Sequence, residues 1–427
     1  MSGGDESAVD EIDFFRSGAV LADPYPYYEQ LRGQCPVHRE PHEGVVMITG
    51  YDEALEVYRD AATFSSANSV TGPFPGFSVP LVGEDVTALI EAHRDELPFS
   101  DQLPTFDPPK HGAHRGLTMR MLTPKRLKEN EAAIWEIADR QLDEFIDEGG
   151  CEFVSAFASP FAMLVIADLL GVPDDDRPEF RDRLARTSGF GTGESNQMAH
   201  TPLEFLYDKF SHYIEDRRRA PRADIMTRMA EATFPDGSTP EVLDVVRVAA
   251  NLFAAGQETT VRLLASALRI VAEHPDIQDA LRADPTAIPN FVEEVLRIES
   301  PIKGDFRVAR VGTTVGGVDI PAGTTVMLLN GAANRDPRRF DDPAALDPAR
   351  ANAREHLAFG HGTHFCPGAP LARTEGRVAL ERILHRTSKI RIDADKHGPE
   401  GQRKFRFVPT YMLRGLVALH LTFEPAR

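Results

Sequence analysis

The segment "STPEVLDVVRVAANLFAAGQETTVRLLASALRIVAEHP", Ser238 to Pro275, constrains the fold of this chain more than any other. Apolar residues recur through it at helical spacing, Ser238 and Thr239 are capping residues, Pro240 suits a first turn and Pro275 marks a stop. At 1.5 Å per residue, about 34 residues would form a rod of roughly 50 Å, enough to cross a whole domain. The rest of the chain must pack around it. Gly256 in its interior costs about 1 kcal/mol relative to Ala, so the position asks for a packing or functional reason, such as the close approach of a cofactor or ligand.

Most other segments also read as helix. Strand-like sequence is confined to "VARVGTTVGGVDIPAGTTVMLL", where β-branched residues alternate around Gly316-Gly317 and Pro321-Ala322-Gly323, and to a terminal hairpin expected in "FRFVPTYMLRGLVALHLTFEP". The expected class is mainly α with a small β part. No linker or repeat divides the 427 residues, so a single domain, 1–427, is expected, with 1–15 a disordered acidic N-terminus. The 40 residues between Ser66 and Asp107 are rich in Pro, Gly and Phe, which suggests a lid rather than a tail.

Charge and cysteine usage exclude several functions. A formal charge of −19 disfavours general nucleic-acid binding. One basic island, Arg120, Lys125, Arg126 and Lys128, reads as a solvated helix face unless something acidic docks there. Three cysteines cannot make a disulfide framework and suit a reducing compartment, and the acidic start lacks a signal-peptide pattern. With no apolar run of about 18 residues, a cytoplasmic chain without a membrane span is expected.

Cys366 lies in "FGHGTHFCPG", directly ahead of an apolar helical pattern. Three chemistries compete for it. His361, His364 and Cys366 could ligate zinc, but a structural site wants a fourth ligand. His364 could serve as base to a nucleophilic thiol, as in a hydrolase. The third option is haem. Pro367 fits the first turn of a helix whose positive end favours thiolate, Gly360, Gly362 and Gly368 would let the backbone approach a flat macrocycle, and Phe359 could cover the sulfur side. Pro367 has no N–H, so hydrogen bonds to the sulfur must come from Gly368 and later residues.

This loop resembles the haem-binding loop of the cytochromes P450, in particular the soluble bacterial members, with Cys366 at the place of the proximal ligand. The resemblance implies haem b (iron protoporphyrin IX) as cofactor. It extends to "AAGQETT", similar to that family's oxygen-activation motif, which implies Thr259 as the alcohol and Glu258 as the acid of a proton relay, beside Ala255 and Gly256. An isolated Glu-Thr pair is ordinarily a Thr bonded back to a helix carbonyl and a solvated Glu. "EEVLR" is similar to the family's E-x-x-R pair, implying a buttress of Glu294 and Arg297 with Arg350. His111, Arg115, Arg307 and His364 sit where the family places propionate contacts.

What the resemblance implies is a monooxygenase that inserts one atom of dioxygen into a C–H bond and releases the other as water. A non-oxygenase haem-thiolate sensor or a peroxide-driven enzyme would share the cysteine loop but have little use for Glu258 and Thr259. The sequence shows no dinucleotide fingerprint and ends at Arg427, so electrons are expected from an external ferredoxin and its reductase, docking on the basic island of a monomer. The expected substrate pocket comprises Phe74, Phe77, Leu97 and Phe99 of the lid, Asn251 and Ala255 of the long helix, Ile302, and Tyr411 and Met412. A mostly apolar lining of this kind suits a compact terpenoid, steroid-like or aromatic molecule.

Overall fold

The computed structural model describes residues 9–186 and 201–426, with side chains described for 9–183 and 204–426. The long helix is present and spans Val242–Glu273. It begins later than Ser238 and Thr239 suggest, because Glu241 caps it in a reciprocal box with Asp244. Ser238 instead closes a turn on Asp236, with an Oγ–Oδ1 distance of 2.6 Å. At the other end, His274 caps the helix ahead of Pro275. The buried face runs from Val245 to Ala272, and the helix packs against Ser159–Leu170, Thr201–Arg219, Ile288–Glu299 and Ala369–Arg386. These elements enclose one large apolar core.

The β part is small, as expected. Strands β1 (Val37–Arg39), β2 (Val46–Ile48), β3 (Phe64–Ser65), β5 (Asp305–Ala309) and β8 (Thr325–Leu328) form a sheet in the order β1-β2-β8-β5-β3. Only β2–β8 is parallel in it. The Gly316-Gly317 turn joins β6 (Thr313–Val315) to β7 (Val318–Ile320). The terminal segment departs from the expected hairpin. Its strand β10 (His420–Pro425) lies between β4 (Gly150–Glu152) and β9 (Thr387–Ile392), while Phe407 and Leu416 make only an isolated bridge.

Two further expectations fail for reasons of packing. Val9, Phe14 and Phe15 are buried, so the disorder expected over 1–15 does not hold from Val9 onward, whereas residues 1–8 lie outside the described residues. The 40 residues expected to be a lid contain a helix, Thr87–His93, and two 3-10 turns, and pack into the body of the protein. Much of it is core. Phe15, Phe74 and Tyr411 meet edge to face with centroids 5.2 to 6.2 Å apart, and Leu97 with Phe77 joins a cluster around Val86, Ile90 and Val308.

Candidate active site

Cys366 follows a short 3-10 turn, Gly362–His364, and precedes the helix Ala369–Arg386, whose N-cap is Gly368. The loop is held tightly to its neighbour. A side chain at Gly362 would meet the Tyr58 carbonyl at 2.4 Å, and its φ of +68° is costly for other residues. Gly362 therefore packs on Tyr58 rather than facing the cavity, while Gly360 and Gly368 line it. The Cys366 N–H donates to the Phe359 carbonyl at 2.9 Å. Burial pushes the thiol upward, opposed by backbone N–H groups of Gly368 and Ala369 and by Arg115. The helix end thus acts on the sulfur in the direction the sequence suggests, against the burial.

The sulfur opens into a cavity of about 380 Å³ whose walls are mostly apolar. Phe359, Gly360, His364 and Leu371 line it, as do Asn251, Ala255, Gly256, Glu258 and Thr259 of the long helix. A Cβ at Gly256 would make only ordinary contact with Ile166, so protein packing does not demand glycine there. Phe99, Ile302 and Met412 line the cavity as expected. Phe74, Phe77, Leu97 and Tyr411 do not, because the aromatic and aliphatic packing described above holds them elsewhere; the Tyr411 hydroxyl donates to Thr71 O at 3.2 Å.

One edge of the cavity gathers two imidazoles and two guanidiniums. His111, Arg115, Arg307 and His364 all line it. Arg115 pairs with no carboxylate among the described residues, and the His111 Nε2 is buried without a partner. Arg307 pairs with Asp305 at 3.2 Å. The two imidazoles lie 4.1 Å apart, and Ser66 Oγ is 3.0 Å from His364 Nε2. Burial, reinforced by the arginines, lowers His111 to about 4 and His364 to about 2. An orphaned imidazole and an unpaired guanidinium fit a dianionic cofactor edge, and the sulfur across the same cavity fits its metal. Haem, with two propionates and an iron, meets both demands.

Glu258 and Thr259 are arranged more modestly. Thr259 Oγ1 donates to Ala255 O at 2.8 Å, the ordinary back-bond of a helical Thr. That bond occupies its proton and leaves the oxygen as an acceptor toward the cavity. Arg262, one turn along, holds the Glu258 carboxylate.

Below the cysteine loop, Glu294 and Arg297 form a fully buried pair at 2.7 Å, joined by Arg350 at 3.1 Å. Arg297 also donates to the carbonyls of Asn334, Pro343 and Ala345. Spacing alone allowed an exposed pair, and the structure buries it. Glu293 adds a link missed in the sequence, because it binds His356 and Arg373, and Arg373 lies 4.7 Å over the Phe359 ring.

Glu375 was also missed. It is buried, lines the cavity, and accepts from Thr260 Oγ1 at 2.9 Å, while burial raises it to about 8. The available signal was an acid among Leu371, Val378 and Ala379 on the buried face of one helix. His361, His364 and Cys366 do not gather a metal-holding group, since no cluster of three or more His, Cys, Asp or Glu side chains does so among the described residues. No helix among them is long and apolar enough to cross a membrane.

Comparison with known proteins agrees with this geometry. Residues 286–397 match the family model described as cytochrome P450. The substrate-free structure of Mycobacterium marinum CYP150A6 superposes with a TM-score of 0.93 at 55% identity, covering 98% of this chain and all of that one. The cytochrome P450 monooxygenase PikC of Streptomyces venezuelae is 34% identical across 95% of this chain and 92% of its own. The 6-deoxyerythronolide B hydroxylase of Saccharopolyspora erythraea is 33% identical over 89% and 93%, respectively.

Proposed function

Because this chain belongs to the cytochrome P450 family of haem-thiolate monooxygenases, we propose that Cys366 is its haem ligand and that it hydroxylates a C–H bond of a compact, largely apolar molecule. The observation that carries this reading is one cavity joining the Cys366 sulfur, the Arg115 guanidinium without a carboxylate partner and the Thr259 face of the long helix. Bound haem supplies the dioxygen chemistry, which consumes two electrons and two protons and sends one oxygen atom to substrate and the other to water.

The residues divide the remaining work. Gly368 and Ala369 N–H groups steady the sulfur. Arg115, His111 Nε2, Arg307 and His364 receive the propionates. Thr259 Oγ1 accepts a hydrogen bond from water in the cavity, and the Glu258 carboxylate exchanges protons with that water when Arg262 releases it. The buried Glu294–Arg297–Arg350 cluster keeps the loop in register. The apolar walls exclude bulk water and favour terpenoid, steroid-like or aromatic substrates.

Electrons come from a ferredoxin and its reductase. Lys125 and Lys128 are exposed at the start of the helix Pro124–Asp143, which packs on the helix that follows Cys366. They offer an acidic donor a contact on the sulfur side, whereas Arg126 is partly engaged with Leu169 O. The deciding experiment is the carbon-monoxide difference spectrum of the reduced protein. A thiolate-type band is expected, and it should vanish in Cys366→Ser; a wild-type protein without it, even after hemin supplementation, refutes the reading.

A further inference from the structure

Most polar side chains in the cavity wall are already engaged. Among the described residues that line it, His111, Arg115 and Asn251 are the side chains bearing nitrogen or oxygen that make no hydrogen bond. The first two stand where the propionates are received. Asn251 has no use in anything described so far. We propose, on the basis of the oxygenase reading above, that Asn251 is a specificity-determining residue. Its amide selects apolar substrates that carry an oxygen function, a carbonyl or a hydroxyl, away from the C–H bond that reacts.

The helix itself turns this side chain into the cavity. From Val245 to Ala254 every residue is buried except Arg247 and Asn251. Asn251, Ala255 and Thr259 follow at intervals of four and so share one face. Ala255 is exposed although the helix runs through the core with other helices packed along it, and both Ala255 and Thr259 line the cavity. The space that leaves Ala255 exposed is therefore the cavity, and Asn251 stands one turn along the same face. The residue is half-buried, and neither polar atom of its amide is shut away as His111 Nε2 is. Arg247, a further turn back, is taken by Asp101 at 2.9 Å.

The rest of the wall offers the amide little to bind. Ser69 gives its hydroxyl to Pro104 O, Thr259 to Ala255 O and Thr260 to Glu375, while Arg262 holds Glu258. An Asn amide has two N–H donors and a carbonyl acceptor, so a ketone and an alcohol each find a partner there. A hydrocarbon of the same shape displaces water from the amide and leaves it unpaired, a loss worth roughly ten-fold in affinity. Eight residues separate Asn251 from Thr259, about 12 Å along the helix axis. The oxygen function that holds the substrate is thus separate from the carbon that is oxidised, and the product keeps it.

The test uses trans-2-decalone and trans-decalin as probes of one shape, with dissociation constants read from the ferric spin-state shift of the haem-loaded protein. Their different solubilities cancel when the ketone-to-hydrocarbon affinity ratio of a variant is divided by that of the wild type. Asn251→Leu and Asn251→Ala both remove the amide, the first keeping its volume and the second vacating it. Each should lower the ratio roughly ten-fold through weaker decalone binding. Asn251→Gln retains an amide and should restore part of the preference. Turnover by the wild type should give a hydroxylated decalone with its ketone intact. An unchanged ratio in the folded Leu or Ala variant, no spectral shift with either probe, or hydroxylation confined to the carbons beside the carbonyl overturns the role of Asn251. A wild type lacking the thiolate-type carbon-monoxide band overturns the oxygenase reading itself, so the two failures are distinguishable.

Discussion

The Glu375 carboxyl accepts a 2.9 Å hydrogen bond from Thr260, the residue immediately after the proposed relay alcohol. Both groups are buried, no cation is among the causes acting on the acid, and its dissociation is raised to about 8. Glu375 thus keeps its proton at neutral pH beside the central helix.

The first prediction concerns stability. The native protein holds the Glu375 proton between the ordinary carboxylate range and about pH 8, while the unfolded chain has released it. Native stability from this group therefore falls as pH rises through that window and levels off above it. An amide in place of the acid would still accept from Thr260 and carries no titration. The apparent unfolding temperature of Glu375→Gln should gain on the wild type by several degrees between pH 5 and pH 8.5; a pH-independent difference contradicts the buried neutral acid.

Thr259→Ala should retain haem and substrate binding while product per reduced nicotinamide falls several-fold. Hydrogen peroxide should account for the missing electrons, measured with a peroxidase-coupled assay. Undiminished product yield removes Thr259 from the relay.

Arg262→Ala should free the Glu258 carboxylate from its one-turn neighbour. If that contact restrains proton exchange, the solvent isotope effect on turnover should change while carbon-monoxide binding does not. An unaltered isotope effect assigns Arg262 to packing alone.

Arg297→Lys should lose the cysteine loop despite conserving charge. The guanidinium serves Glu294 and three carbonyls at once, a geometry no ammonium reproduces. Stability should drop by about 3 kcal/mol or more, with reduced thiolate-type absorbance per mole of protein. Full haem retention would separate this cluster from the loop.

Reversing charge at Lys125 and Lys128 should raise the apparent KM for a ferredoxin donor, most at low ionic strength. Turnover with a chemical reductant should be unchanged. A donor KM insensitive to both substitutions moves the docking surface elsewhere.

Local signals in the sequence were enough for the central helix, the Gly316-Gly317 turn, and the cysteine loop ahead of its helix, because each depends on residues within a few positions of one another. The same proximity made Glu294 and Arg297 recognisable as a pair. Their burial was not visible, since it requires Asn334, Pro343, Ala345 and Arg350 to fold back over them. Which aromatic residues face the cavity was equally a tertiary decision. Phe74 and Tyr411 stand far apart in the chain, yet both pack with Phe15 and so leave Phe99 to the cavity wall. The same holds for the proton on Glu375. Periodicity and capping are short-range properties, whereas burial and ionisation are set by neighbours brought together only when distant segments meet.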